Sequence, residues 1–74
     1  MPKLPLISGA QALRVFGQLG FTPVRRRGSH VVLRRDDKGC VIPMHRELAQ
    51  GTLRSALKQA GIDADDFVHA WRNL

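Results

Sequence analysis

Apolar positions along the chain change period twice, and each change marks an element. After Ser8, which forms a capping-box pattern with Gln11 three residues later, Leu13, Phe16 and Leu19 recur at helical spacing. Ile7 is placed as the staple residue and Gly20 as a left-handed stop, so a first helix is predicted over Gly9 to Leu19. From Phe21 the period shortens to two. In "HVVLRR", Val31 and Leu33 fall on one face while His30, Val32 and Arg34 fall on the other. "FTPVRRR" is extended around Pro23, and "CVIP" is a strand ended by Pro43. Three strands are therefore expected at Val24–Arg27, His30–Arg35 and Cys40–Ile42, joined into an antiparallel meander by Gly28-Ser29 and by the turn Asp36-Asp37-Lys38-Gly39.

"MHRELAQG" reads as a loop, after which the helical period returns. Leu53, Ala56, Leu57 and Ala60 mark the buried stripe of a second helix from Thr52 to its stop at Gly61. Asp63 is the expected N-cap of a last helix, with Asp66 in its first turn and Phe67, Val68, Trp71 and Leu74 along its apolar stripe. The order helix, three strands, helix, helix implies an α+β fold: one small antiparallel sheet, helices on one face, and the other face open. The expected core is Leu13, Phe16, Val31, Leu33, Leu53 and Leu57. Seventy-four residues make a single domain, 1–74, and a chain of this size buries only about 60% of its unfolded surface, so a partner would stabilise it.

Charge narrows the function. The formal net charge of +6 comes entirely from Arg25 to Lys58, where nine basic residues face Asp36, Asp37 and Glu47. Clustered arginine of this kind points to a polyanion, and nucleic acid fits best, although a solvated basic face has the same composition. No apolar run approaches the roughly 20 residues needed to cross a bilayer, so no membrane partner is expected. The start "MPKLPLISG" lacks a signal-peptide core, and Cys40 is the only cysteine, which predicts a cytoplasmic protein without disulfides. No cofactor and no metal are expected, because Asp36 and Asp37 lie in a turn and no carboxylate–histidine cluster has ligand spacing.

One histidine, His30, stands between two arginine clusters in "RRRGSHVVLRR". Taken alone it is an ordinary surface residue at a strand start, and Gly28-Ser29 an ordinary hairpin turn. The longer stretches "GFTPVRRRGSHVVLRR" and "VIPMHRELAQGTLRSALKQAGI" change this. With their order and spacing, Gly28-Ser29-His30 and Gly51-Thr52-Leu53-Arg54 through Gln59-Ala60-Gly61 resemble the HicA family of bacterial toxin–antitoxin systems. These are small mRNA interferases with a dsRBD-like α-β-β-β-α fold. The likeness runs from Leu13 to Ile62. The helix at 63–74 is a C-terminal extension found in some members.

The resemblance implies a metal-independent endoribonuclease acting on single-stranded RNA, specifically mRNA, and a HicB-type antitoxin partner with a partial RNase-H-like domain and a DNA-binding tail. It assigns catalysis to His30. Many members carry a second histidine where Val31 stands, so His30 alone inherits the role. Gly28 and Ser29 shape the site. Arg25, Arg26, Arg27 and Arg34, with Arg54 and Lys58 on the second helix, are the expected RNA contacts. His45 is a secondary candidate, as complementary acid or phosphate contact, set against a plain solvated loop histidine; His69 is expected at the surface. The alternative is a non-catalytic basic RNA-binding module using the same surface. A DNA-reading helix-turn-helix would need more base-reading side chains than "TLRSALKQAG" offers.

Overall fold

A computed structural model describes residues 3–74 and places the elements in the expected order: α1 (Gly9–Gln18), β1 (Thr22–Arg27), β2 (His30–Arg35), β3 (Lys38–Pro43), α2 (Gln50–Ala60) and α3 (Ala64–Arg72). The capping box at Ser8 forms in both directions, with the Gln11 amide N–H donating to the Ser8 hydroxyl at 3.0 Å and the Ser8 N–H donating to the Gln11 side chain at 2.9 Å. Asp63 caps α3 by accepting from the Asp65 amide. Gly20 and Gly61 follow α1 and α2 with φ of 92° and 70°, the left-handed geometry expected of helix stops.

The strands run longer than their apolar pattern suggests. The sheet order is β1-β2-β3, so β1 and β3 are both edges, and an edge tolerates a proline whose missing N–H faces outward. Pro23 therefore lies inside β1, beside a bulge between Pro23 and Arg25, and Pro43 lies inside β3. The second turn is also tighter than expected. Arg35 pairs with Lys38, leaving Asp36-Asp37 as a two-residue turn with Asp36 at a φ of 54°. Helix α2 begins two residues before Thr52, at Gln50, whose side-chain amide donates to the Leu4 carbonyl at 3.0 Å.

Cross-strand partners share a face, so the register sorts the sheet into rows. Arg26, Val31 and Ile42 form one row of the covered face, and Pro23, Leu33 and Cys40 the next. Val31, Leu33, Cys40 and Ile42 are buried beneath α1 and α2, together with Phe16, Leu53 and Leu57. Leu13 is only partly buried, at the margin of the core. Leu4, Phe21 and Leu48 join that core from segments without helical or strand period. Phe16 sits at its centre, 5.6 Å from the Phe21 ring and 5.4 Å from Phe67, and the second contact fastens α3 to α1. No polar or charged side chain among the described residues is buried.

Candidate functional site

The remaining rows form the other face: Arg27, His30 and Pro43; Arg25, Val32 and Val41; Thr22, Arg34 and Gly39. His30, the three arginines and Val41 are exposed, whereas Val32 is half-buried. His30 follows the two-residue Gly28-Ser29 hairpin, in which Gly28 takes a φ of 57°. Glycine reaches that conformation without a Cβ penalty, and it brings the chain back so that Arg27 lies directly opposite His30.

At the β3 edge this face is not simply open. His30, Val41, Pro43 and His45 from the sheet side meet Thr52, Ser55, Ala56 and Gln59 of α2 around a shallow depression of about 410 Å³. Pro43 and Ala56 are buried at its bottom; the two imidazoles, Thr52, Ser55 and Gln59 are exposed around it. His45 is brought here by strand alternation that continues past the last regular residue. Val41, Pro43 and His45 are spaced by two, and one further ladder bond, from the Met44 N–H to the Ser29 carbonyl at 2.6 Å, keeps that phase.

The segment is held from behind as well. The Gly9 N–H donates to the His45 carbonyl at 2.9 Å. A Cβ on Gly9 would overlap the Pro43 carbonyl oxygen and come 2.8 Å from Met44 Cα, so α1 approaches this backbone as closely as a glycine permits. The site thus draws on α1, β2, β3 and α2.

The basic residues divide into groups. Arg25, Arg27 and Arg34 share the face of His30, and Arg34 lies across from Gly39. Arg26 belongs to the covered-face row, is exposed where no helix covers β1, and donates through Nε to the Gly28 carbonyl at 3.0 Å. Arg35 is a structural fastener: Nη1 donates to the Leu19 carbonyl at 2.6 Å and its guanidinium lies 4.8 Å from the Phe21 ring centre. Arg54 and Lys58 lie on the opposite flank of α2 from Thr52, Ser55 and Gln59, lining a second depression with Lys3. His69 is exposed on α3.

Thr52, Ser55 and Gln59 are the residues that sequence reasoning passed over. Their spacing of three and four marks one helical face beside the apolar stripe, but uncharged side chains carry no signal that separates a site wall from a solvated surface. Among the described residues, no group of three or more His, Cys, Asp or Glu side chains gathers where it could hold a metal ion. None of the helices described is long and apolar enough to cross a membrane.

No curated protein matches the sequence. A family model does: residues 9–62 match the HicA toxin of bacterial toxin–antitoxin systems, a span that holds β1 to β3, α2 and every residue lining the His30 depression. With that match over well more than half its length, the chain belongs to the HicA toxin family and is the toxin member of a toxin–antitoxin pair.

Proposed function

We propose that this toxin is a metal-independent endoribonuclease that cuts single-stranded mRNA in the cytoplasm, with His30 taking the proton from the attacking 2′-hydroxyl. The observation that carries this reading is the placement of His30: exposed, inside a depression walled by neutral hydrogen-bonding groups, and opposite Arg27 on the sheet. Metal-free RNA cleavage needs a base for the 2′-OH and donors for the charge that grows on the phosphoryl oxygens. Imidazole ordinarily titrates near neutrality and suits the first task. Arg27 and Arg25 suit the second, aided by the Thr52 and Ser55 hydroxyls. Gly28 and Ser29 set the hairpin that presents His30, while Arg34 extends the phosphate track along the same face.

A positioned proton-transfer group contributes on the order of 10²–10⁴-fold, which makes a slow enzyme adequate against abundant message. His30→Ala should therefore lose RNA cleavage in EDTA by about that factor while keeping its circular-dichroism melt. Cleavage retained by His30→Ala, or dependence of the wild type on added metal, would overturn the assignment; RNA binding without cleavage by the wild type would leave a basic RNA-binding module. The antitoxin, of HicB type in this proposal, acts by occupying the His30 face, so it should displace fluorescent RNA from His30→Ala. Simultaneous binding of both would mean that inhibition is allosteric.

A further inference from the structure

We infer that His45 is a second catalytic group, a general acid that protonates the 5′-oxygen leaving the phosphorus. The inference rests on the reading of the depression as an RNA-cleaving site and adds to it the other half of the proton transfer. Three observations carry it. His30 and His45 line one depression from adjacent strands, β2 and the extension of β3. The backbone of His45 is fixed on both sides, by the Met44 N–H to the Ser29 carbonyl and by its own carbonyl to the Gly9 N–H. Gly9 leaves that segment no room to move toward α1, because any side chain there would overlap Pro43 and Met44. These contacts fix the backbone that carries the imidazole.

The step balances without a co-reactant. A ring nitrogen of His30 takes the 2′-OH proton as the O2′–P bond forms. The P–O5′ bond breaks, and His45, entering as imidazolium, gives its proton to the departing oxygen. The products are a 2′,3′-cyclic phosphate and a 5′-hydroxyl, with the charges of the two histidines exchanged and reset through solvent. Among the described residues, His30 is the only other titratable one lining the depression; β3 contributes Val41 and Pro43, and α2 contributes Thr52, Ser55, Ala56 and Gln59. Gly9 of α1 adds no charge, Arg27 of β1 stands across from His30, and Arg46 and Glu47, next along the loop, are exposed. The pH–rate profile should therefore be bell-shaped, with His30 setting the acid limb and His45 the alkaline limb.

The test compares ordinary RNA with RNA carrying a bridging 5′-sulfur at the scissile bond, a thiolate leaving group that departs without protonation. On ordinary RNA, His45→Ala and His45→Gln should cleave about 10²-fold more slowly than wild type and lose the alkaline limb. On the sulfur-bridged RNA both should recover to within a few-fold of wild type, and His30→Ala should stay defective. Equal deficits of the His45 variants on the two substrates, with intact melts, would assign His45 a positioning role and overturn the inference. Wild-type rates and an unchanged alkaline limb would do the same while leaving His30 as the base. A wild-type protein that cleaves neither RNA would overturn the nuclease reading itself, and this inference with it.

Discussion

Helix α2 separates two surfaces of opposite character. On one flank, Thr52, Ser55 and Gln59 present uncharged donors and acceptors beside two imidazoles. On the other, Arg54, Lys58 and Lys3, with one carboxylate from Asp63, surround Leu4, Leu57 and Ile62 in a depression of about 440 Å³. The chain's positive charge is thus not one continuous patch centred on the histidine. The cations that share the histidine's face come from the sheet, Arg25, Arg27 and Arg34, while those of the helix turn away from it. Under the proposed mechanism the histidine flank of α2 carries the chemistry and the other flank only charge, which makes the two separable by mutation.

The widest separation is expected in turnover. Ser55→Ala with Thr52→Ala removes two donors that face His30, and loss of donors to a developing oxyanion typically costs on the order of 10²-fold or more in rate. Arg54→Ala with Lys58→Ala removes two cations from the other flank and should change cleavage at saturating RNA by less than about 3-fold, since groups distant from the reacting atoms do not act selectively on the transition state. Comparable losses in kcat for both double variants would mean that the RNA engages both flanks during chemistry and that α2 does not divide them.

A smaller contrast lies within β1. Arg27→Glu, in the row of His30, should weaken RNA binding and lower the salt slope by about 0.7 for each phosphate of a single strand that is no longer neutralised. Arg26→Glu, whose guanidinium is turned to the Gly28 carbonyl on the other side of the sheet, should leave that slope closer to wild type. Fluorescence titration across a salt series measures both, and identical slopes would show that the face on which an arginine stands does not matter to the RNA.

Much of this architecture was legible because buried positions obey a period. Val31 and Leu33 alternate, Leu53, Ala56, Leu57 and Ala60 keep helical spacing, and the caps at Ser8 and Asp63 use side chains whose chemistry is local. The open-face position of His30 was legible for the same reason, since strand phase put it opposite the core, whereas its expected role came from the family resemblance. What escaped was set by tertiary packing. Pro43 reads as a strand end, although an edge strand tolerates it, so the phase that carries His45 to the site was hidden by one residue. Arg54 and Lys58 stand out by charge, whereas the helix flank that meets the depression is uncharged. Leu4 and Leu48 lie in the core without period, because backbone bonds such as the Leu48 N–H to the Ile7 carbonyl at 2.8 Å place them.

Two glycines of α1 test how firmly the site is braced. Gly9→Ala must push the Pro43–Met44 backbone, and overpacking of this kind costs about 1–3 kcal/mol. The displaced segment carries His45, so cleavage should fall with stability. Gly17 lies in the same helix with open space where a Cβ would stand, and Gly17→Ala should stabilise by about 0.5–1 kcal/mol without altering turnover. Thermal melts of the two variants should move in opposite directions; a neutral Gly9→Ala would mean that the backbone behind His45 yields.

The smallest effect concerns the core on which both flanks of α2 rest. Cys40 is a free thiol buried in β3, in the row of Leu33, and burial pushes its pKa from 9.0 up to about 11. Because the thiolate is the reactive species, iodoacetamide at about pH 8, below even the ordinary thiol pKa, should label the folded protein far more slowly than the denatured chain. The sign of the linked stability follows from the same shift. The folded pKa lies above the unfolded one, so the contribution of Cys40 is fully present below pH 9.0 and is lost as pH rises toward about 11. The informative quantity is the difference between wild type and Cys40→Ala. Between pH 9.0 and about 11 the wild-type melting temperature should fall more steeply than that of the variant. Rapid labelling of the native protein under the same mildly alkaline conditions would show that β3 opens locally, in which case the depression between His30 and α2 is assembled only part of the time and its two flanks are less fixed than the packing implies.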